Sequence, residues 1–171
     1  MDYKLAIFDI DGTITEIKPE IKEKNPKAHT PNTLGEQQPK ENVIALLEEL
    51  QANEVGIALA TNRGGVAWGY NTLEEAYEMA EEAAVLCGVE GSAVYVCPYH
   101  AKAKGFFKAD PRYAMDSDCR KPNPGMLIKA MEDAGVGPEE TIFVGDMETD
   151  MRAAENAGVL FYWAKDYFGW E

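Results

Sequence analysis

Short apolar runs alternate with amphipathic stretches along the chain. Leu5-Ala6-Ile7-Phe8, Val55 to Ala60 and Thr141 to Gly145 are continuous enough to be strands buried on both faces. With two weaker runs they predict strands over 3–9, 55–60, 93–97, 141–145 and 159–163. Apolar residues at helical spacing, such as Val43, Leu46, Leu47 and Leu50, predict helices over 41–52, 72–87, 124–134 and 149–157. Asn71-Thr72 and Asn123-Pro124 read as helix starts, and Gly88, Gly135 and Gly158 as helix ends. Strand and helix in alternation imply an α/β fold: a Rossmann-like three-layer sandwich around a mainly parallel five-stranded sheet. Ligands of such sheets bind beyond the C-terminal strand ends.

Two connections break the rhythm. Residues 14–40 are rich in Pro, Lys, Glu, Asn and Thr and read as a long loop. Residues 98–120 read as another, with aromatics and cysteines. Both follow a strand's C-terminal end, so both belong on the ligand side, where long loops are usually functional. Neither is long enough for a substantial cap domain, and 171 residues fit a single domain over 1–171. Lys18, Lys22, Lys24 and Lys27 read as a solvated loop. The aromatic tail from Phe161 to Trp170 reads as packing of the last strand on the core, or as a subunit contact.

Composition narrows the function. A net charge of −14 repels nucleic acid and anionic membranes. An anionic substrate would therefore need local positive charge, for which Arg63, Arg120, Lys121 and a bound cation are candidates. No stretch reaches the roughly 20 apolar residues of a membrane span, and the chain opens on strand-like sequence without a signal pattern, so a cytoplasmic protein is expected. Cys87, Cys97 and Cys119 are odd in number and suggest no disulfide framework.

The chemistry gathers at strand ends. Asp9 and Asp11 close the first run and Gly12 breaks it. Two close carboxylates are poor neighbours without a cation, and hard cations such as Mg²⁺ bind carboxylate oxygens. Asp and Gly are also common at plain strand-end turns, so the pair alone decides little. Thr61-Asn62-Arg63 ends the second run, Arg120-Lys121-Pro122 precedes a helix, and Asp146 ends a later strand with Asp150 one helical turn on. Acid pair, hydroxyl, lysine and late acid pair occur in order, each in a suitable context.

These motifs resemble the haloacid dehalogenase-like (HAD) hydrolase superfamily: Asp9-Ile10-Asp11-Gly12-Thr13, Thr61-Asn62, Lys121-Pro122 and Gly145-Asp146 to Asp150. Thr61 to Gly69 and Cys119 to Met126 further resemble its histidinol-phosphate and heptose-bisphosphate phosphatase branch, and the absence of a cap resembles its capless members. The resemblance implies a Mg²⁺-dependent phosphatase. Asp9 would be the nucleophile and form an aspartyl-phosphate. Asp11 would be the general acid and base. Mg²⁺ would sit on Asp9, the Asp11 carbonyl and Asp146. Thr61, with the backbone amides of Asn62 and Arg63, would hold phosphate oxygens. Lys121 would add charge, and Arg120 would suit a second phosphate or a carboxylate. Asp150 would orient Lys121 or a metal-bound water.

Many members of the branch carry a structural zinc in the loop before Arg-Lys-Pro, on Cys-x-His and Cys-x-Cys. Here Tyr99 stands in the histidine's place and Ser117 in a cysteine's. Cys97, His100 and Cys119 remain as candidates, with Asp116 or Asp118 as further substitutes. A zinc-free loop is expected. The expected partner is a small phosphorylated metabolite, a sugar phosphate or bisphosphate, and the protein a monomer or homodimer. A polynucleotide 3′-phosphatase and a non-catalytic phosphate-ligand binding module are the alternatives.

Overall fold

The computed structural model describes residues 3–171. In chain order its elements are β1 (Leu5–Phe8), β2 (Thr15–Ile17), α1 (Pro19–Lys24), β3 (Gln37–Pro39), α2 (Val43–Ala52), β4 (Gly56–Asn62), α3 (Leu73–Leu86), β5 (Ala93–Cys97), α4 (Gly125–Ala134), β6 (Thr141–Gly145), α5 (Glu148–Ala157), β7 (Leu160–Trp163) and α6 (Ala164–Phe168). Five strands form one parallel sheet in the order β5-β4-β1-β6-β7. The chain winds outward from β1 to one edge, returns, and continues through β6 to the other. The strand order therefore reverses between β1 and β6, where such sheets open a crevice for ligands.

The continuous apolar character of β1 follows from burial on both faces. Alternate side chains enter opposite cores. Ala6 and Phe8 pack with Val43, Leu47 and Leu50 of α2, Ala80 and Ala83 of α3, and Phe168 of α6. Leu5 and Ile7 pack with Leu127 and Ala130 of α4 and Ala153 of α5. Phe8 and Phe143 are fully buried, a gain of roughly 1.5–3 kcal/mol each over exposure. This double core holds the C-terminal ends of β1, β4 and β6 in register, with Phe8 opposite Leu59 and Val144.

Helix ends follow local chemistry. Thr72 caps α3 in a capping box with Glu75. Gly135 and Gly158 end α4 and α5 in the left-handed conformation. Among the described residues no helix is long and apolar enough to cross a membrane.

Three expectations need correction. Residues 14–40 are not one loop: β2 and β3 pair antiparallel, with α1 between them. These elements are too short for a periodic signal, and partners far along the chain hold them. Buried Gln37 donates from Nε2 to Met79 O (2.7 Å) and to Glu82 Oε2 (2.8 Å), and accepts from the Thr15 hydroxyl (3.1 Å). The lysines at 18, 22 and 24 accordingly lie at or in α1, a short helix with no buried residue. The third correction concerns the cysteines. Cys97 and Cys119 form a disulfide across 22 positions, and Cys87 is free and buried. An odd count does not forbid a pair once the fold brings two of the three together. In the tail, Phe168 is buried and Trp170 packs on the same core, while Tyr162 and Trp163 are exposed.

Candidate active site

The chain leaves β1 in a tight turn. The amides of Thr13, Ile14 and Thr15 all donate to the Ile10 carbonyl, and the Gly12 amide donates to Thr15 O. Gly12 has φ +84°, and a Cβ there would lie 2.3 Å from Asp146 Oδ2. Glycine thus permits both the turn and the approach of Asp146. The turn presents Asp9 and Asp11 at the crevice beside β6.

Lys121 joins the two acid pairs. Its ammonium, 3% exposed, lies 2.6 Å from Asp9 Oδ1 and 2.6 Å from Asp150 Oδ1, and donates to Ala60 O at 3.0 Å. Its backbone is gripped by Asn62: Lys121 N donates to Asn62 Oδ1 (3.1 Å), and Asn62 Nδ2 donates to Lys121 O (3.1 Å). Asp150 also accepts at Oδ2 from the amides of Asp146 (3.2 Å) and Met147 (3.0 Å), closing the N-terminus of α5. A Cβ at residue 145 would lie 2.4 Å from Asp150 Cβ, so Gly145 is what lets α5 turn in this closely. The Thr13 hydroxyl lies 3.3 Å from Asp9 Oδ2 and 3.2 Å from Asp146 Oδ1, one proton between two acceptors. Ligand atoms of Asp9, Asp146 and Asp150 come within 4.8 Å of one another.

The four carboxylates share one electrostatic problem. Burial pushes Asp9 up to about 6 against the pull of Lys121, and the charges of Asp11 and Asp146 add to the rise. Burial likewise raises Asp11, against the pull of Arg63. It raises Asp146, reinforced by Asp150, and Asp150, reinforced by Asp9. Burial would lower the Lys121 ammonium, but Asp9 and Asp150 outweigh it and hold the group above its ordinary value. With two carboxylates at 2.6 Å, the lysine is the charged partner.

Asp9, Asp11, Thr61, Asn62, Lys121, Asp146 and Asp150 all line one cleft of 460 Å³. Arg63 and Arg120 line a neighbouring cleft of 280 Å³ that shares Thr30 and Asn62 with the first. Arg120 donates from Nη1 to Tyr99 O at 3.2 Å. Arg63 departs from its expected place at the phosphate. Its amide donates to Cys97 O at 2.8 Å, and its Nη2 lies 3.1 Å from Asp11 Oδ1. Pairing of β4 with β5 uses the amide, and burial turns the side chain toward the nearest carboxylate.

The Thr13 hydroxyl, the Asn62 clamp, and His29 and Thr30 at the cleft wall escape sequence reasoning. Thr13 belongs to the Asp9 to Thr13 motif, but nothing local shows that its hydroxyl meets Asp146. His29 and Thr30 carry no pattern at all. The disulfide ties the end of β5 to the segment bearing Arg120 and Lys121. Among the described residues, Asp9, Asp146 and Asp150 come close enough together that one ion could meet all three.

A family model described as HAD-hydrolase-like matches residues 118–165. The chain is 34% identical over 119 residues to a D-glycero-β-D-manno-heptose-1,7-bisphosphate 7-phosphatase of Pasteurella multocida, covering 68% of this chain and 61% of that protein. It is also 34% identical over 115 residues to a D-glycero-D-manno-heptose-1,7-bisphosphate 7-phosphatase of Thermosynechococcus vestitus, covering 65% and 58%. The chain thus spans about three fifths of the length of these curated relatives. In structure it is similar to D,D-heptose 1,7-bisphosphate phosphatase of B. bronchiseptica, complexed with magnesium and phosphate. That match has TM-score 0.70 and 22% identity, covering 92% of this chain and 78% of that one. A HAD-like protein of Mesorhizobium loti matches with TM-score 0.74 and 24% identity, covering 92% and 69%. Motifs, fold and these likenesses agree: the chain is similar to the heptose-bisphosphate phosphatases of the haloacid dehalogenase-like (HAD) hydrolase superfamily.

Proposed function

We propose that the protein is a Mg²⁺-dependent phosphatase of a small phosphorylated sugar, a mono- or bisphosphate, and that the whole chain forms one catalytic domain. The observation that carries this reading is the Asp9 carboxylate. It is held at one oxygen by the buried Lys121 ammonium (2.6 Å), lies 3.3 Å at the other from the Thr13 hydroxyl, and opens on a cleft that Asp146 also lines. A carboxylate fixed at both oxygens is oriented for attack instead of rotating freely.

The donor set fits a hard divalent cation. With Asp11 protonated as the acid, the carboxylates of Asp9, Asp146 and Asp150 meet two buried cations, Lys121 and Arg63, which leaves an excess of one negative charge. Asp150 is already engaged by Lys121 and two amides, so Asp9, Asp146 and the Asp11 carbonyl would hold Mg²⁺. When bound, the ion would neutralise phosphoryl oxygens and screen the acids from one another.

In the first step a carboxylate oxygen of Asp9 bonds to phosphorus as the bond to the sugar oxygen breaks. The Asp11 carboxyl donates its proton to that leaving oxygen. Lys121, whose donors are taken by Asp9, Asp150 and Ala60 O, acts on the phosphoryl oxygens through its charge, and Thr61 lines the β4 side of the cleft. In the second step water attacks the aspartyl-phosphate, Asp11 takes the water's proton, and phosphate leaves with Asp9 restored. Supporting a sugar bisphosphate are the named substrates of the curated relatives. The net charge of −14 weighs against a polynucleotide. The loop of residues 98–120 is read as zinc-free, since two of the three candidate ligands share a disulfide.

The test is phosphate release from sugar mono- and bisphosphates, histidinol phosphate, nucleotides and a 3′-phosphorylated oligonucleotide, in Mg²⁺ and in EDTA. Mg²⁺-dependent turnover of a sugar phosphate, abolished in Asp9→Asn with the fold intact, is the expected result. Full activity in that variant would remove Asp9 as nucleophile; no release from any ester would end the phosphatase reading.

A further inference from the structure

We infer that Arg63 is a positioning residue for Asp11, aiming its carboxyl at the leaving oxygen, and that it does not bind the substrate's phosphate. The inference rests on the phosphatase reading and goes beyond it by assigning the buried guanidinium a task.

Asp11 is held at both oxygens from the end of β4. Arg63 Nη2 meets Oδ1 at 3.1 Å, and the Thr61 hydroxyl meets Oδ2 at 3.4 Å. An N–H donor needs a lone pair on the oxygen it faces, so Arg63 holds Oδ1, while Thr61 donates to Oδ2 and lines the main cleft beside Asp9. Arg63 thus fixes the orientation of the carboxyl.

Arg63 is itself immobilised. Its side chain is 5% exposed. Its amide donates to Cys97 O, and its carbonyl accepts from Val66 N. Its Nε is buried with no hydrogen-bond partner among the described residues. A buried guanidinium with an unsatisfied N–H is costly, and the ion pair with Asp11 is what offsets it. Arg63 does not line the cleft that holds the nucleophile.

The role separates from phosphate binding by leaving group. The value of kcat/KM reports only the steps through departure of the alcohol. An alkyl ester, here the best sugar phosphate of the panel, needs its leaving oxygen protonated; p-nitrophenyl phosphate does not. We expect Arg63→Met to lower kcat/KM for the sugar phosphate by about 10²-fold and for the aryl ester by far less. Arg63→Lys should recover part of the alkyl activity. Circular dichroism and thermal melting check that each variant folds; if Arg63→Met does not, the alkyl-to-aryl ratio of Arg63→Lys carries the test. Equal losses on both esters, or no loss, would overturn the role. Wild-type protein that turns over neither ester would instead overturn the phosphatase reading, and this role with it.

Discussion

The ammonium of Lys121 lies 2.6 Å from Asp9 Oδ1, and 112 positions of chain separate the two residues. The contact depends on three unrelated pieces of backbone: the end of β1, the Asn62 clamp at the end of β4, and the loop before α4. The same ammonium reaches Asp150 at 2.6 Å, so one buried cation answers for two buried acids.

Removing that cation should cost both stability and turnover. Lys121→Met leaves Asp9 and Asp150 buried without their partner, a loss of about 3–5 kcal/mol. Activity should fall by at least about 10²-fold. Adding Asp150→Asn should restore part of the stability and none of the turnover. Urea unfolding and steady-state rates on the same preparations check this; a double variant no more stable than Lys121→Met would contradict the pairing.

The buried acids also set a pH dependence in metal-free protein. Burial first, then the neighbouring charges, raises the Asp9 carboxyl from 3.8 to about 6. Within that window the folded protein keeps a proton that the unfolded chain has released. Stability therefore falls as pH rises through it. Mg²⁺ should raise the melting temperature more above the window than inside it. Melting curves in EDTA and in Mg²⁺ across pH decide the matter, and an equal Mg²⁺ effect on both sides would count against Asp9 as a ligand.

Gly12 leaves no room for a side chain beside Asp146. An alanine there has to accept φ +84° and place its Cβ 2.3 Å from Asp146 Oδ2. The strained backbone should cost about 1–3 kcal/mol. Displacement of Asp146 should raise the Mg²⁺ concentration needed for half-maximal turnover. A Gly12→Ala variant with an unchanged Mg²⁺ requirement would show that Asp146 does not hold the ion.

The Cys97–Cys119 bond closes a loop of 22 positions next to Lys121. Chain-entropy arguments give such a link about 3 kcal/mol. Reduced protein, or the Cys119→Ser variant, should unfold at correspondingly lower urea. Thiol titration in denaturant, where buried Cys87 is reached, should count one free thiol before reduction and three after; three at the outset would mean the cysteines stand unpaired.

Much of the fold was legible because period alone carried it. Leu5 to Phe8 has no polar position, so it had to be a strand buried on both faces. Val43, Leu46, Leu47 and Leu50 repeat at helical spacing and lie in α2. The hairpin of β2 and β3 left no such trace: its strands have three residues each and are held by contacts such as Gln37 with Met79 and Glu82. The motif acids were visible as types at strand ends. The partner of Arg63 was not, because a free guanidinium and one locked to Asp11 look the same in a sequence.

The sequence by itself determined the layered α/β fold, the strand ends that carry Asp9, Asp11, Thr61 and Asp146, and the acidity of the whole, since these follow from local periodicity, turn chemistry and a count of charges. Only the tertiary structure decided which charges neutralise one another. It gave Lys121 to Asp9 and Asp150, Arg63 to Asp11, and Cys97 to Cys119. Those pairings are set by parallel strand register and by burial. Residues dozens of positions apart become the nearest available partners in a space that water does not fill, and a buried charge there takes the partner that packing places beside it.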